Sequence, residues 1–277
     1  MRNTTLMLMV AAALVLTACG KDTGNTDATP DADGAAPAGL LGEAAGKAKV
    51  ESAAAALPKP DASKSISEYP QLESGNQIMF HYVAASKLPP DYAKLAEPYS
   101  KEYRNTSDTF RKNDLLEAIK PQLDQQIAQT AANPYGWMKV SDANLGAYDF
   151  DRKGFPVGEF ASSTSRYFND NYDYKIGWSN YNQVAFAPVK DEAAARQIEA
   201  MRTGYSDTPQ LKVYFFAQSA DLSEQKINAL VTHVQIVDRS GRVLASYGPD
   251  GNAPVPADAT DECQGDPAVC AASHFGH

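Results

Sequence analysis

Histidine and cysteine are scarce in this chain, four and three among 277 residues, and the cysteines stand at positions 19, 263 and 270. The long middle of the sequence therefore offers no thiol for nucleophilic catalysis. It also has no G-x-S-x-G elbow, and only His81 and His233 fall within it as candidate general bases. Positive charge is in deficit, with 25 Lys and Arg against 34 Asp and Glu, a net charge of −9. That balance excludes the clustered basic footprint of a nucleic-acid binder. It also argues against electrostatic attachment to anionic lipid. No apolar run reaches the roughly 20 residues a membrane-spanning helix needs, and no internal repeat is visible.

What the N-terminus holds is a targeting pattern. Arg2 precedes an apolar run from Leu6 to Leu16, a charged n-region and an h-region of signal-peptide length. The stretch Leu16-Thr17-Ala18-Cys19 then resembles the lipobox of bacterial lipoproteins. The resemblance implies cleavage after Ala18 and lipidation of Cys19, so that the membrane is held covalently. Each buried methylene of such a lipid adds about 0.8 kcal/mol. With Gly20 rather than aspartate next, the resemblance favours the outer membrane, on its periplasmic or surface face. Loss of residues 1–18 removes Arg2 and takes the net charge from −9 to −10.

An exported protein meets an oxidising compartment, where disulfides persist. The tail CQGDPAVCAASHFGH is therefore read as a Cys263–Cys270 disulfide loop. The alternative is a metal site, since Cys263, Cys270, His274 and His277 are all plausible ligands. Its spacing matches no known finger. No cofactor is expected.

Composition divides the chain into a signal segment (1–18), a tether (19–62), a globular domain (63–250) and an acidic tail (251–277). The tether is Ala, Gly, Asp, Thr and Pro with few large apolar residues, too few to offset chain entropy. The domain opens with helical signals. Ser74 and Gln77 have capping-box spacing ahead of Ile78, Met79, Tyr82 and Val83. Residues 91–103 align Tyr92, Leu95, Tyr99 and Tyr103, with Pro98 expected to kink or split the helix. Residues 107–130 carry Leu116, Ile119, Leu123 and Ile127 at helical spacing, and Pro121 is expected to begin a new segment there.

After Asn133-Pro134 the period shortens. Strands are expected around 174–178, 183–188 and 211–217, with a helix over 191–202 capped by Asp191 and closed by Gly204. Asp151-Arg-Lys-Gly154 and Asp238-Arg-Ser-Gly241 read as hairpin turns in which glycine takes the positive φ. The segment 221–224 fits either a capped short helix or the start of a strand. Helices first and strands later predict an α+β fold: N-terminal helices packed on an antiparallel sheet that carries an inserted helix.

Chemistry-bearing motifs are few. Asp149-Phe-Asp151-Arg-Lys153-Gly154 begins like a calcium loop, but Lys153 occupies a ligand position and Glu159 comes one residue early. Aromatics are concentrated instead: residues 135–186 hold 13 of the 26. Trp137, Tyr172, Tyr174, Trp178 and Tyr181, interleaved with Asn and Asp, are the candidate platform for a protein or glycan partner. The competing expectation is that such residues simply fill strand positions facing a core.

The run YPQLESGNQIMFHYVAASKLPPDYAKLAEPYSKEYRNTSDTFRKNDLLEAIKP (69–121) resembles bacterial envelope proteins grouped as a domain of unknown function. AFAPVKDEAAARQIEAM and VQIVDRSGRVLASY extend that likeness. The resemblance implies location and fold, and brings no catalytic residues. The expectation is a non-enzymatic, membrane-anchored binding or envelope-assembly module. The alternatives are a periplasmic hydrolase using His233 or His81, and metal capture by the Cys/His tail.

Overall fold

Ser74 and Gln77 form the capping box their spacing predicts. Ser74 Oγ accepts from the Gln77 N–H, and Gln77 Oε1 accepts from the Ser74 N–H at 3.0 Å. The structure, a computed structural model, describes residues 57–249 apart from 142 and 205–207. Cys19, the signal segment, most of the tether, and the tail with Cys263, Cys270, His274 and His277 lie outside the described residues.

Helix α1 (Gly75–Ser86) begins at that capping box. The Asp170 carboxylate also reaches its first N–H, on Gly75, at 2.9 Å, which suits the positive end of a helix. Ile78, Met79, Phe80 and Val83 are all buried. A helix apolar on most sides must be covered on most sides, and α1 lies between the sheet and the long helix α4 (Thr109–Ala132). Helices α2 (Tyr92–Tyr99) and α3 (Lys101–Asn105) connect the two. Pro98 does end its helix: Ser100 closes α2 through its N–H to Ala96 O and caps α3 by accepting from the Tyr103 N–H.

Pro121 behaves differently from expectation. It stands inside α4 without starting a new segment. Its ring is exposed, while Ile119 and Leu123 on either side are buried in the main core. One continuous apolar seam outweighs one missing hydrogen bond.

The strands are β1 (Tyr135–Val140), β2 (Gly154–Pro156), β3 (Ser165–Phe168), β4 (Asn171–Trp178), β5 (Phe186–Pro188), β6 (Gln210–Asp221), β7 (Lys226–Val237) and β8 (Val243–Tyr247). The main sheet runs β1-β6-β7-β4-β3, with β8 also on β7, while β2 and β5 form a separate pair. The fold is α+β. Its sheet is mixed rather than wholly antiparallel, because β4 and β7 are parallel. Strand β6 pairs along the whole of β7, so β4 and β8 share the other edge, at residues 226–229 and 234–237 respectively.

The expected strand at 183–188 is shorter than predicted. A single turn, α5 (Tyr181–Val184), precedes β5. Helix α6 (Glu192–Thr203) matches its signals: Asp191 accepts from the Ala193 and Ala194 N–H groups, and Gly204 stands at its C-cap. The 221–224 segment is the turn joining β6 to β7, with Asp221 Oδ1 accepting from the Ser223 and Glu224 N–H groups.

The two look-alike turns differ. Gly241 takes the positive φ, +92°, as expected. In the first turn Lys153 takes it instead, at +53°, and the Asp149 carboxylate organises the loop by accepting from the Asp151 and Arg152 N–H groups. Gly154 serves another purpose, since a Cβ there would lie 2.2 Å from Ala187 O.

The sheet buries both faces unequally. Met138, Val213, Phe215, Ile176 and Val231 join the helices in the main core. Alternate residues Tyr135, Tyr214 and Phe216 point away from it and form a second cluster with Tyr69. The segment before α1 covers this outer face. The Asp61 N–H donates to Tyr135 Oη at 2.7 Å and Gln218 Nε2 donates to Pro58 O at 3.0 Å. Residues 70–72 then add to the edge of β1, exchanging backbone bonds with Trp137.

Candidate functional site

The five aromatics singled out from the sequence do not gather on one surface. Trp178 is 5% and Tyr174 3% exposed, both inside the main core. Trp178 meets the rings of Phe160 and Phe215, and Tyr174 that of Tyr82. Burial pushes the Tyr174 hydroxyl up to about 12. Trp137 is half-buried on the outer face beside Tyr214, with the Lys212 ammonium 5.4 Å from its ring centre. Tyr181 is half-buried and packs against the main core. Tyr172 is exposed. The competing expectation, strand aromatics serving the core, describes Tyr174 and Trp178.

Asp149 and Glu159 of the calcium-like stretch have other partners. Asp149 is spent on its turn. Glu159 is buried, receiving both the Arg166 guanidinium, with Nε at 3.0 Å, and the Trp178 Nε1–H at 3.2 Å. Among the described residues no group of three or more His, Cys, Asp or Glu is placed to hold a metal ion.

His233 and His81 are both buried, and burial lowers the pKa of each to about 4, with no charged neighbour contributing. Both are therefore neutral imidazoles at neutral pH. His233 Nε2 lies 2.6 Å from Ser246 Oγ across the β7–β8 pair, and its ring packs against Tyr214. A histidine with so low a pKa holds a proton poorly, which makes it a weak base toward that serine.

His81 sits in a different setting. It lines a cleft of about 330 Å³ between α1, the last turns of α4 and the edge residues Pro70 and Leu72. His81 is 5% exposed, and its Nδ1 has no hydrogen-bond partner. Asn133 Oδ1, at the C-cap of α4 and lining the same cleft, is also buried without a partner. Unpaired buried polar atoms are few in folded proteins, and each has a cause. The two residues that carry them line one cleft, and both atoms are closed to water.

The local sequence explains the wall. Leu123 and Ile127 continue the apolar seam of α4, and beside it the last turns of the helix present Gln126, Gln129, Thr130 and Asn133 to the cleft. These fall at helical spacings of three and four. Gln77 closes the opposite side, its amide fixed by the capping box and by donation to Gln71 O at 3.2 Å. Phe80 and Leu72 supply apolar surface. Among the described residues, no Asp, Glu, Lys or Arg lines the cleft. Such a site suits binding by hydrogen bonds and shape; it holds no carboxylate to serve as a proton acceptor. Sequence reading passed over it, because the apolar stripe runs on through Ile127 and the polar residues beside it read as an ordinary exposed face.

No family model, no curated protein and no solved structure matches this chain.

Proposed function

We propose that this protein is a membrane-anchored, non-catalytic binding module of the bacterial envelope, and that its ligand enters the cleft beneath His81. One observation carries the reading: a cleft of about 330 Å³ is lined by His81, Gln126, Gln129, Thr130 and Asn133, with no Asp, Glu, Lys or Arg among the described residues that line it. The cleft lies at the small end of the roughly 300–1,000 Å³ range of small-molecule sites.

The anchoring half of the proposal rests on Leu16-Thr17-Ala18-Cys19 and the segment ahead of it. No helix among the described residues is long and apolar enough to cross a membrane; in this reading the lipid on Cys19 supplies the attachment. Two measurements test the whole. Acyl label supplied to cells enters the wild-type chain and is lost in Cys19→Ser. Full-length protein retains an envelope component that Gln126→Leu/Thr130→Leu releases. Equal retention by both proteins overturns the cleft as the binding site.

A further inference from the structure

We infer that the acidic C-terminal segment of this chain, residues 250–277, docks on the outer face of the main sheet and sets its carboxylates on the ammonium groups of Lys139 and Lys212. This surface lies across the sheet from α1 and α4, and the inference is independent of the reading of the His81 cleft.

The register of the sheet builds the surface. Lys139 of β1 stands opposite Lys212 of β6, Lys212 opposite Gln235 of β7, and Gln235 opposite Ser246 of β8. The four make one row across the sheet. Contacts place that row on the outer face. Lys212 Nζ lies over the Trp137 ring, Gln235 Oε1 accepts from Tyr214 Oη at 3.1 Å, and Ser246 Oγ meets His233. Lys139 shares the face of Trp137, two positions away. Lys139 and Ser246, at the two ends of the row, are exposed.

Charge then asks for a partner. Residues directly opposite on paired strands hold their Cβ atoms about 4.5–5.5 Å apart, and like charges there repel. Among the described residues no carboxylate pairs with either ammonium. Two facing lysines without a counter-charge run against the chain's net charge of −9. The sequence holds the missing charge after the last strand: Asp250, Asp258, Asp261, Glu262 and Asp266, with no Lys or Arg beyond Arg242.

The exit point of the chain favours this occupant over a separate one. Strand β8 ends at Tyr247, next to Ser246. Its inner side is filled, since Tyr247 is buried with its Oη donating to Val184 O at 3.1 Å, and α6 packs against β8. Room for the following residues lies on the outer side. Adjacent strands are about 4.8 Å apart, so the row from Ser246 to Lys139 spans about 14 Å. An extended chain covers about 3.3–3.6 Å per residue, so Asp258 and the acids after it reach both lysines. Exposed ion pairs are individually weak. A covalent link raises the effective concentration to the order of millimolar, an advantage that a free anionic partner or the tail of a second copy lacks.

The test treats full-length protein in non-ionic detergent micelles with a water-soluble carbodiimide. The reagent joins a carboxylate to an adjacent amine as an amide and is itself converted to the urea. Peptide mapping then locates the amides, and a mixture of 14N- and 15N-labelled chains separates links within one chain from links between two. The expected result is tail carboxylates joined to Lys139 or Lys212 at least fivefold more often than to the exposed Lys101 and Lys190, within one chain, and lost in about 0.5 M NaCl. A second readout leaves the folded domain unaltered. Asp258→Asn/Asp261→Asn/Glu262→Gln is expected to shift the Trp137 indole N–H resonance and leave that of the buried Trp178 in place. Amides spread evenly over exposed lysines, no amide from the tail, or an unmoved Trp137 signal overturn the inference. Amides found only between two chains also overturn it, and assign the surface to a second copy.

Discussion

The side chain of Asn180 stands in for a missing stretch of β-strand beside Val231. Its Nδ2 donates to Val231 O at 2.9 Å, and its Oδ1 accepts from the Val231 N–H at 2.8 Å. Val231 lies where β4 has left the edge of β7 and β8 has not yet arrived. A single amide thus satisfies both backbone groups of a residue that is fully buried.

Asn180→Ala is therefore expected to destabilise the domain by about 2–4 kcal/mol, since it strands a buried donor and a buried acceptor together. Asn180→Asp keeps the acceptor and loses the donor, and falls between. Chemical denaturation measures the loss, and faster hydrogen exchange at the Val231 amide locates it.

Arg166 and Glu159 make a second testable pair. Arg166→Met takes the charge partner from a carboxylate that is 1% exposed at its side chain, a change expected to cost about 3–5 kcal/mol. Glu159→Gln with Arg166→Met removes both charges and is expected to regain most of that loss. A double-mutant cycle in denaturant reads the difference. Equal losses in the single and double variants would show that packing, not charge, is what the pair supplies.

Two glycines separate close approach from backbone conformation. Gly154→Ala places a Cβ 2.2 Å from Ala187 O and is expected to loosen the β2–β5 pair and lower the melting temperature by several degrees. Gly241→Ala meets no atom within 4 Å but sits at φ +92°. Its expected cost is about 1 kcal/mol. Thermal unfolding of the two variants, Gly154→Ala the less stable, checks the distinction.

Acid sensitivity follows from the two buried histidines. Each has a folded-state pKa near 4, below the 6.5 of an exposed imidazole. Above pH 6.5 both are neutral whether folded or unfolded. As pH falls from 6.5 to about 4 the unfolded chain binds protons that the fold refuses, so stability declines. For each histidine the loss amounts to about 3 kcal/mol. Asp238, lowered to about 2 by its bonds with Ser240 and Arg242, keeps its contribution above the ordinary carboxylate value of 3.8 and loses it as pH falls from there to about 2. His81→Gln/His233→Gln is expected to flatten the pH 4–6.5 slope of unfolding free energy. An unchanged slope would assign it to other groups.

Local rules were legible where neighbours in sequence decide the outcome. The capping box at Ser74 and Gln77, the Asp191 cap, the Glu192–Arg196 pair at 2.5 Å and the turn glycine at 241 all follow from spacing, because each closes within a few residues. The same rules misjudged Pro121 and Gly154. In both cases a distant surface overrides local preference: the seam with α1 for Pro121, and the carbonyl of Ala187 for Gly154.

The sequence by itself determined the α+β class, the order of the first helices before the strands and the net negative charge. Each depends on composition or on short periods. Only the tertiary structure decided which aromatics are core, because residue type alone does not separate Tyr172, exposed, from Tyr174 or Trp178, buried. It alone brought His81 to Asn133, fifty-two positions apart, at one cleft. It also set β4 parallel to β7 and left Asn180 to close the gap. Those relationships depend on which elements meet across the core, and burial free energy summed over the whole chain decides that.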